Sequence, residues 1–240
     1  MKKIMLLLLF IPIVSNAQLK DLIKKAGNKV TEATKTNSSL DIGAGLKEAL
    51  NKGVTEQVSK LTAMDGFYKN EAVKILMPEE LQKVEKTLRK MGMSNLADEG
   101  IKSLNRAAED AVKEATPIFV SAIKNITITD AKSILFGNEN AATVYLQSST
   151  TTALYSKFSP VVQQSVSKVG ADVIWASIIK KYNSLPLVSK VNPDITDYVT
   201  NKALEGVFKM ITVEEKNIRT NLSSRTSDVL KKVFALQDKK

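Results

Sequence analysis

The chain contains no cysteine and no histidine. Without cysteine there is no disulfide, so the fold is held by packing and polar contacts alone. The two absences together exclude Cys/His zinc sites, Ser-His-Asp triads, Cys-His dyads and imidazole acid–base chemistry. Any catalysis would fall to carboxylates, lysine, tyrosine, serine or threonine, or to a metal held by oxygen ligands. Aromatic residues make up only 5% of the 240 positions. The alternating polarity that marks strands is almost missing. After the first 17 residues no run is apolar enough to cross a bilayer.

The N-terminus, "MKKIMLLLLFIPIVSNAQ", has the order of a secretory signal peptide: Lys2 and Lys3, then an apolar run from Ile4 to Val14, then Ser15 and Ala17 at −3 and −1 of a cut before Gln18. No cysteine follows the cut, which excludes a lipid-anchored lipoprotein. The expected location is therefore the periplasm or cell envelope.

The net charge is +10, and its distribution matters more than its size. Residues 18–36 carry five lysines against Asp21 and Glu32, and residues 216–240 carry seven basic residues against Asp228 and Asp238. Between them, 37–215 is balanced. A neutral body argues against a nucleic-acid surface. Basic ends suit anionic lipid, polysaccharide or an acidic partner, and they suit solubilising tails equally well.

Helical periodicity runs nearly throughout. Residues 19–35 read as a basic amphipathic arm that can touch a membrane surface, and "TKTNSSLDIGAG" as linker and helix start. Residues 45–63 are helical. "AVKILMPEE" is briefly extended, because the residue before Pro78 avoids the α region. Pro78, Glu79 and Glu80 open a helix to Met91, closed by Gly92. Ser94 is expected to cap the next helix, and Thr116-Pro117 to restart it. A short helix starts at Thr129 or Asp130 and ends at Gly137. Asn138 caps 139–157, Ser159-Pro160 opens 160–182, Asp194 caps 195 to about 218, and "RTSDVLKKVFAL" ends the chain as a helix. Trp175 falls among aliphatic residues and reads as core. The expected architecture is all-α. A signal peptide at 1–17 and a loose amphipathic arm and linker at 18–40 precede a single bundle of about nine or ten helices at 41–236. A basic tail at 237–240 follows.

Two polar constellations stand out. In "LNRAAE", Arg106 points away from the apolar line of Leu104, Ala108 and Ala111, with Glu109 one turn on. This is the spacing of a surface pair worth about 0.2–0.5 kcal/mol. Asn105 sits at the edge of the apolar face, in position to be half-buried. If another helix covers that flank, Arg106 and Glu109 become a buried pair needing partners. In "PDITDYVTNKALEG", Asp194 and Asp197 have cap-and-N3 spacing. Two carboxylates three apart also suit Ca²⁺ or acid–base work, and spacing alone does not separate these. Tyr198 reads as a partly buried anchor. Asp130, Asn138, Glu139 and Asn140 surround a turn without the oxygen spacing of a Ca²⁺ loop.

The run "SLNRAAEDAVKEATPIFVSAIKNITITDAKSILFGNENAATVYLQSSTTTAL", followed by "FSPVVQQSVSKVG", "DITDYVTNKALEGVF" and "RTSDVLKKVF", resembles the bacterial family called domain of unknown function 4197, over roughly 41–236. The matching residues are Asn105, Arg106, Glu109, Asp130, Gly137, Thr143, Asp197, Tyr198 and Gly206. The resemblance implies an exported, mostly helical protein of a Gram-negative bacterium, and it implies no activity, cofactor or catalytic residue.

These observations together point to a non-enzymatic envelope protein that binds an apolar or anionic, lipid-like ligand or a protein partner. No catalytic residue, metal or cofactor is assigned. The alternative is a structural or assembly role. A carboxylate enzyme built on Asn105, Arg106, Glu109 and Asp197 ranks third, and needs the two motif helices to face each other across a cleft. The candidate cluster, for binding or for locking helices, is Asn105, Arg106, Glu109, Asp130, Asp197 and Tyr198.

Overall fold

A computed structural model describes residues 42–168 and 194–238, the scattered positions 170, 172, 173, 176, 180, 183, 184, 186, 190 and 192, and only the backbone of Glu80, Lys83, Val84 and Thr87. The expected signal peptide, the amphipathic arm, Trp175, most of 169–182 and the last two residues lie outside the described residues. The described helices belong to one compact unit, Ile42–Lys240.

Among the described residues there are eight continuous α-helices, one short 3-10 turn and no strand. The described residues are all-helical, with slightly fewer helices than the nine or ten expected. Helix α1 covers 42–62 and buries Leu46, Ala49, Val54, Val58 and Leu61. An irregular segment, 63–78, leads to α2 (Glu79–Lys90). Then follow α3 (Ser94–Val112), α4 (Ala115–Lys124), α5 (Ile128–Phe136), α6 (Ala141–Ser167), α7 (Ile195–Thr220), a 3-10 turn (Leu222–Ser224) and α8 (Asp228–Phe234).

Helix α6 is central, packing on α3, α4, α5 and α7. Apart from Thr143, its buried residues run Ala142, Leu146, Thr150, Leu154, Phe158, Val162 and Val166. Steps of four overshoot the 3.6-residue turn, so the stripe winds around the helix and meets successive neighbours. Helix α7 packs on α6 and α3. Phe208 from α7 meets Phe119 from α4 edge-on, with ring centres 6.0 Å apart.

Several helix ends differ from expectation. The break expected at Ser159-Pro160 does not occur, and α6 passes straight through Pro160. Phe158 and Val162, both wholly buried, continue the same core line across the proline, and this packing outweighs the lost hydrogen bond. Helix α4 begins at Ala115, so Pro117 lies in its first turn, where the N–H has no helical partner anyway. Ser94 is the first residue of α3 rather than its cap. The left-handed Gly92 (φ 76°) and the Met93 N–H to Leu88 carbonyl bond shape that turn instead. Helix α5 is capped by Thr127, not Thr129 or Asp130. Helix α6 starts at Ala141, and neither Asn138 nor Asn140 caps it with a side chain.

Pro160 is exposed, so replacing it leaves no cavity. Pro160→Ala restores a helical hydrogen bond and should raise unfolding free energy by about 1–2 kcal/mol. A urea titration monitored by circular dichroism checks this, and an unchanged or lower midpoint contradicts it.

Candidate functional site

The irregular segment 63–78 has almost no secondary structure of its own, yet Phe67, Val73 and Ile75 are buried. A buried backbone without regular structure must find other hydrogen-bond partners. Helix α3 supplies them. Asn105, wholly buried, accepts the Ile75 N–H at 2.8 Å, and its amide donates to the Ile75 carbonyl at 2.8 Å and to the Ile101 carbonyl at 2.7 Å. One side chain thus gives Ile75 what a neighbouring strand would give. One turn later, Glu109 accepts the Phe67 N–H at 3.1 Å and, more weakly, the Tyr68 N–H at 3.4 Å.

Arg106 joins the two ends of this clamp. It donates to Glu109 and, at 2.5 Å, to Asp65. Asp65 sits in left-handed backbone (φ 68°), a conformation aspartate tolerates better than most residues. Lys69 also meets it at 2.8 Å. The Lys69 hydrogen bond, aided by the charges of Lys69 and Arg106, holds the Asp65 carboxyl below its ordinary value. The Glu109 hydrogen bond raises the Arg106 pKa above its ordinary value.

Both flanking helices carry a glycine beneath the segment. A Cβ on Gly206 of α7 would lie 2.7 Å from the Phe67 ring, and one on Gly100 of α3 would lie 2.7 Å from the Met77 methyl. Side chains there would push the segment off the core. From α7, the Tyr198 hydroxyl donates to the Leu76 carbonyl at 3.1 Å. Segment 63–78 is therefore a strap held from behind by α3 and from the other side by α7.

An open cleft of about 740 Å³ lies along this strap. One wall is Ala72–Glu79 and the other is the α7 face carrying Asp197, Tyr198, Asn201, Lys202, Gly206 and Lys209. The size falls in the usual range for ligand sites. At its end, Asp197 accepts the Tyr155 hydroxyl at 2.7 Å and the side-chain amides of Asn192 and Asn201, each at 2.9 Å. Asp197 does not close a capping box. Asp194 caps α7 through the Thr196 N–H alone. The hydrogen bond to Asp197, with burial, pushes the Tyr155 pKa up, so that phenol keeps its proton.

The predicted cluster therefore separates into three parts. Asn105, Arg106 and Glu109 act together behind the strap, and none of them lines the cleft. The α3 and α7 motifs do face each other, with the strap between them rather than an open cleft. Asp197 and Tyr198 line the cleft. Asp130 belongs to neither group. It is the third residue of α5, and its carboxylate accepts the Thr127 N–H at 2.9 Å and the Thr127 hydroxyl at 2.8 Å. It faces a separate depression shared with Gly137 and Tyr145.

Sequence reasoning missed a second clamp. Glu215, nearly buried, accepts the Ala142 N–H at 2.9 Å and the Thr143 N–H and hydroxyl at 2.8 Å each. It caps α6 from α7, which explains why Asn140 does not. Arg219 holds Glu215 at 2.8 Å and donates to the Ile134 and Leu135 carbonyls that end α5. Arg225, also buried, closes the α7 terminus through the Ile218 and Arg219 carbonyls and pairs with Asp238. The signal was present in the sequence: Glu215 falls on the apolar line of Phe208, Ile211 and Ile218, where a charge requires partners.

The family model for the protein of unknown function DUF4197 matches residues 36–235. The chain belongs to that family. No curated protein and no solved structure matches the chain.

Asn105→Ala strands both polar groups of Ile75. It should cost about 2–4 kcal/mol in chemical denaturation, since each orphaned buried group costs about 1–3. A loss below 1 kcal/mol would mean that water replaces the amide. The depressed Asp65 carboxyl contributes stability that is present above its ordinary pKa of 3.8 and is lost as pH falls through the lower folded value. Asp65→Asn should flatten that acid limb in thermal melts. An identical pH profile in the two proteins would contradict the Lys69 and Arg106 contacts.

Proposed function

We propose that this member of the family is an exported, non-enzymatic binding protein of the periplasm or cell envelope, with the strap cleft as its ligand site. The observation that carries the reading is the construction of the cleft. Its strap wall is fixed by Asn105, Glu109 and Tyr198, so the surface is preformed rather than assembled on binding. Its lining suits binding better than turnover. Leu76, just over half exposed, and the half-buried Met77 offer apolar surface, while Lys74 and Lys209 offer cationic heads on a lining that also carries Glu79, Asp197 and the Lys202–Glu205 pair. That mixture fits an apolar or anionic, lipid-like ligand or a segment of a protein partner. The carboxylates a carboxylate enzyme would use are already engaged: Glu109 by backbone N–H groups, and Asp197 by three side-chain donors. Export is supported by the order of charged, apolar and small residues in 1–17.

Native mass spectrometry of the chain recovered from the periplasm without detergent tests the reading. A co-purifying mass is expected. It should vanish in Ala72→Trp, which fills the cleft from an exposed position on the strap. A clean apo protein, or a mass retained by Ala72→Trp, would contradict the cleft as the site.

A structural or assembly role is the second reading, and a specific observation favours it: the α3 motif closes only internal bonds. Under that reading Arg106→Ala lowers stability and changes no binding, and the native spectrum shows a clean oligomer.

A further inference from the structure

The strap backbone is satisfied on one side only. In an extended chain, the N–H and C=O of one residue point to one edge and those of its neighbours to the other. Both polar groups of Ile75 point to α3, where Asn105 takes them. Where the chain alternates in this way, the Lys74 carbonyl and both polar groups of Leu76 face the opposite edge, toward α7 and the cleft. Tyr198 meeting the Leu76 carbonyl from α7 agrees with this. The Lys74 N–H is also occupied, by the Asn70 carbonyl at 2.8 Å. Two groups remain: among the described residues neither the Lys74 carbonyl nor the Leu76 N–H has a partner. They flank Ile75 on the cleft side, and both residues line the cleft.

An acceptor at one residue and a donor two residues on match the bonding of a parallel strand, in which a single incoming residue donates to the first and accepts from the second. We infer that the cleft binds an extended polypeptide segment, which adds as a parallel strand to the free edge of the strap at Lys74 and Leu76. This rests on the binding reading above and names its ligand class.

The surroundings fit that occupant. The exposed Leu76 side chain offers apolar contact to an alternate residue of the segment. Lys209 has no acidic partner among the described residues, and Lys74 lies over the Tyr68 ring at 4.9 Å with a long contact to Glu71 at 3.7 Å. Lys202 is already paired with Glu205 at 2.6 Å. These two lysines outnumber Glu79, which also lines the cleft, and favour an acidic residue beside the paired one. Main-chain bonds give such sites affinity and side-chain contacts give selectivity. Because Asn105 fixes the strap in advance, the edge is ordered before the segment arrives.

The test is a phage-displayed random heptapeptide library panned on the exported, purified chain, followed by synthesis of enriched peptides. Leu76→Pro removes the donor, and Leu76→Ala removes the side chain but keeps the donor. The Leu76 N–H makes no internal bond, so the proline variant should fold, and its thermal melt checks this. Enriched peptides should carry Asp or Glu. They should lose roughly tenfold or more in affinity on Leu76→Pro and markedly less on Leu76→Ala. In the unmodified protein, bound peptide should slow hydrogen exchange of the Leu76 amide and leave the Ile75 amide unchanged, a readout independent of either variant. Failure to enrich any peptide, equal binding to Leu76→Pro, or an unaffected Leu76 amide overturns the inference. If it fails while a mass sensitive to Ala72→Trp still co-purifies, strand pairing is wrong and the cleft remains a site for another ligand. If both fail, the cleft is not the site.

Discussion

The described part of the molecule depends on one carboxamide. Asn105 lies on a helix, yet it pairs with Ile75 as a neighbouring strand would. That contact lets an irregular segment lie against a helical core without leaving its backbone polar groups stranded. The cost of losing it explains the rest of the α3 motif. Glu109 takes the N–H groups at the other end of the strap, and Arg106 neutralises Glu109 while holding the left-handed Asp65. The three side chains form one device spread over a single helical turn. Gly100 and Gly206 then make room for the chain they secure.

The same solution recurs at the far end of α7. Glu215 caps α6, Arg219 closes α5, and Arg225 closes α7 itself. Each charge is buried, and each meets both a counter-charge and backbone groups, the condition under which burial is tolerated. Helix α7 is thus a spine with polar fasteners at both ends. Tyr198 and Asp197 face the strap and cleft, while Glu215 and Arg219 face the helix ends. A chain without disulfides uses buried side-chain-to-backbone bonds to fix elements that apolar packing would leave free to slide.

Much of this was legible in the sequence, and the failures have physical causes. Periodicity marked the helical segments because each buries an apolar stripe. The left-handed Gly92 and the Asp194 cap followed from local chemistry. The roles of Arg106 and Glu109 did not, because their spacing is the same on a solvated face. What buries Glu109 is not a second helix but the strap, and an irregular segment has no period to reveal where it packs. Asn105 was placed at the edge of the apolar face and lies fully inside for the same reason. Pro160 misled because local backbone preference was weighed without the core line of Phe158 and Val162 on either side. Asp130 serves a helix cap, apart from both the strap and the cleft.

The functional reading follows from where the polar groups are already engaged. The α3 motif faces inward and closes internal bonds, while the cleft keeps open lysines, an exposed leucine and a free backbone edge. A rigid strap is what connects the two, so the central claim concerns Asn105 and Ile75. Amide hydrogen exchange, resolved at single residues, addresses it directly. The Ile75 amide should exchange only through global unfolding, while the adjacent Leu76 amide should exchange orders of magnitude faster. Equal, rapid exchange at both positions would mean that the strap opens locally and that Asn105 does not hold it.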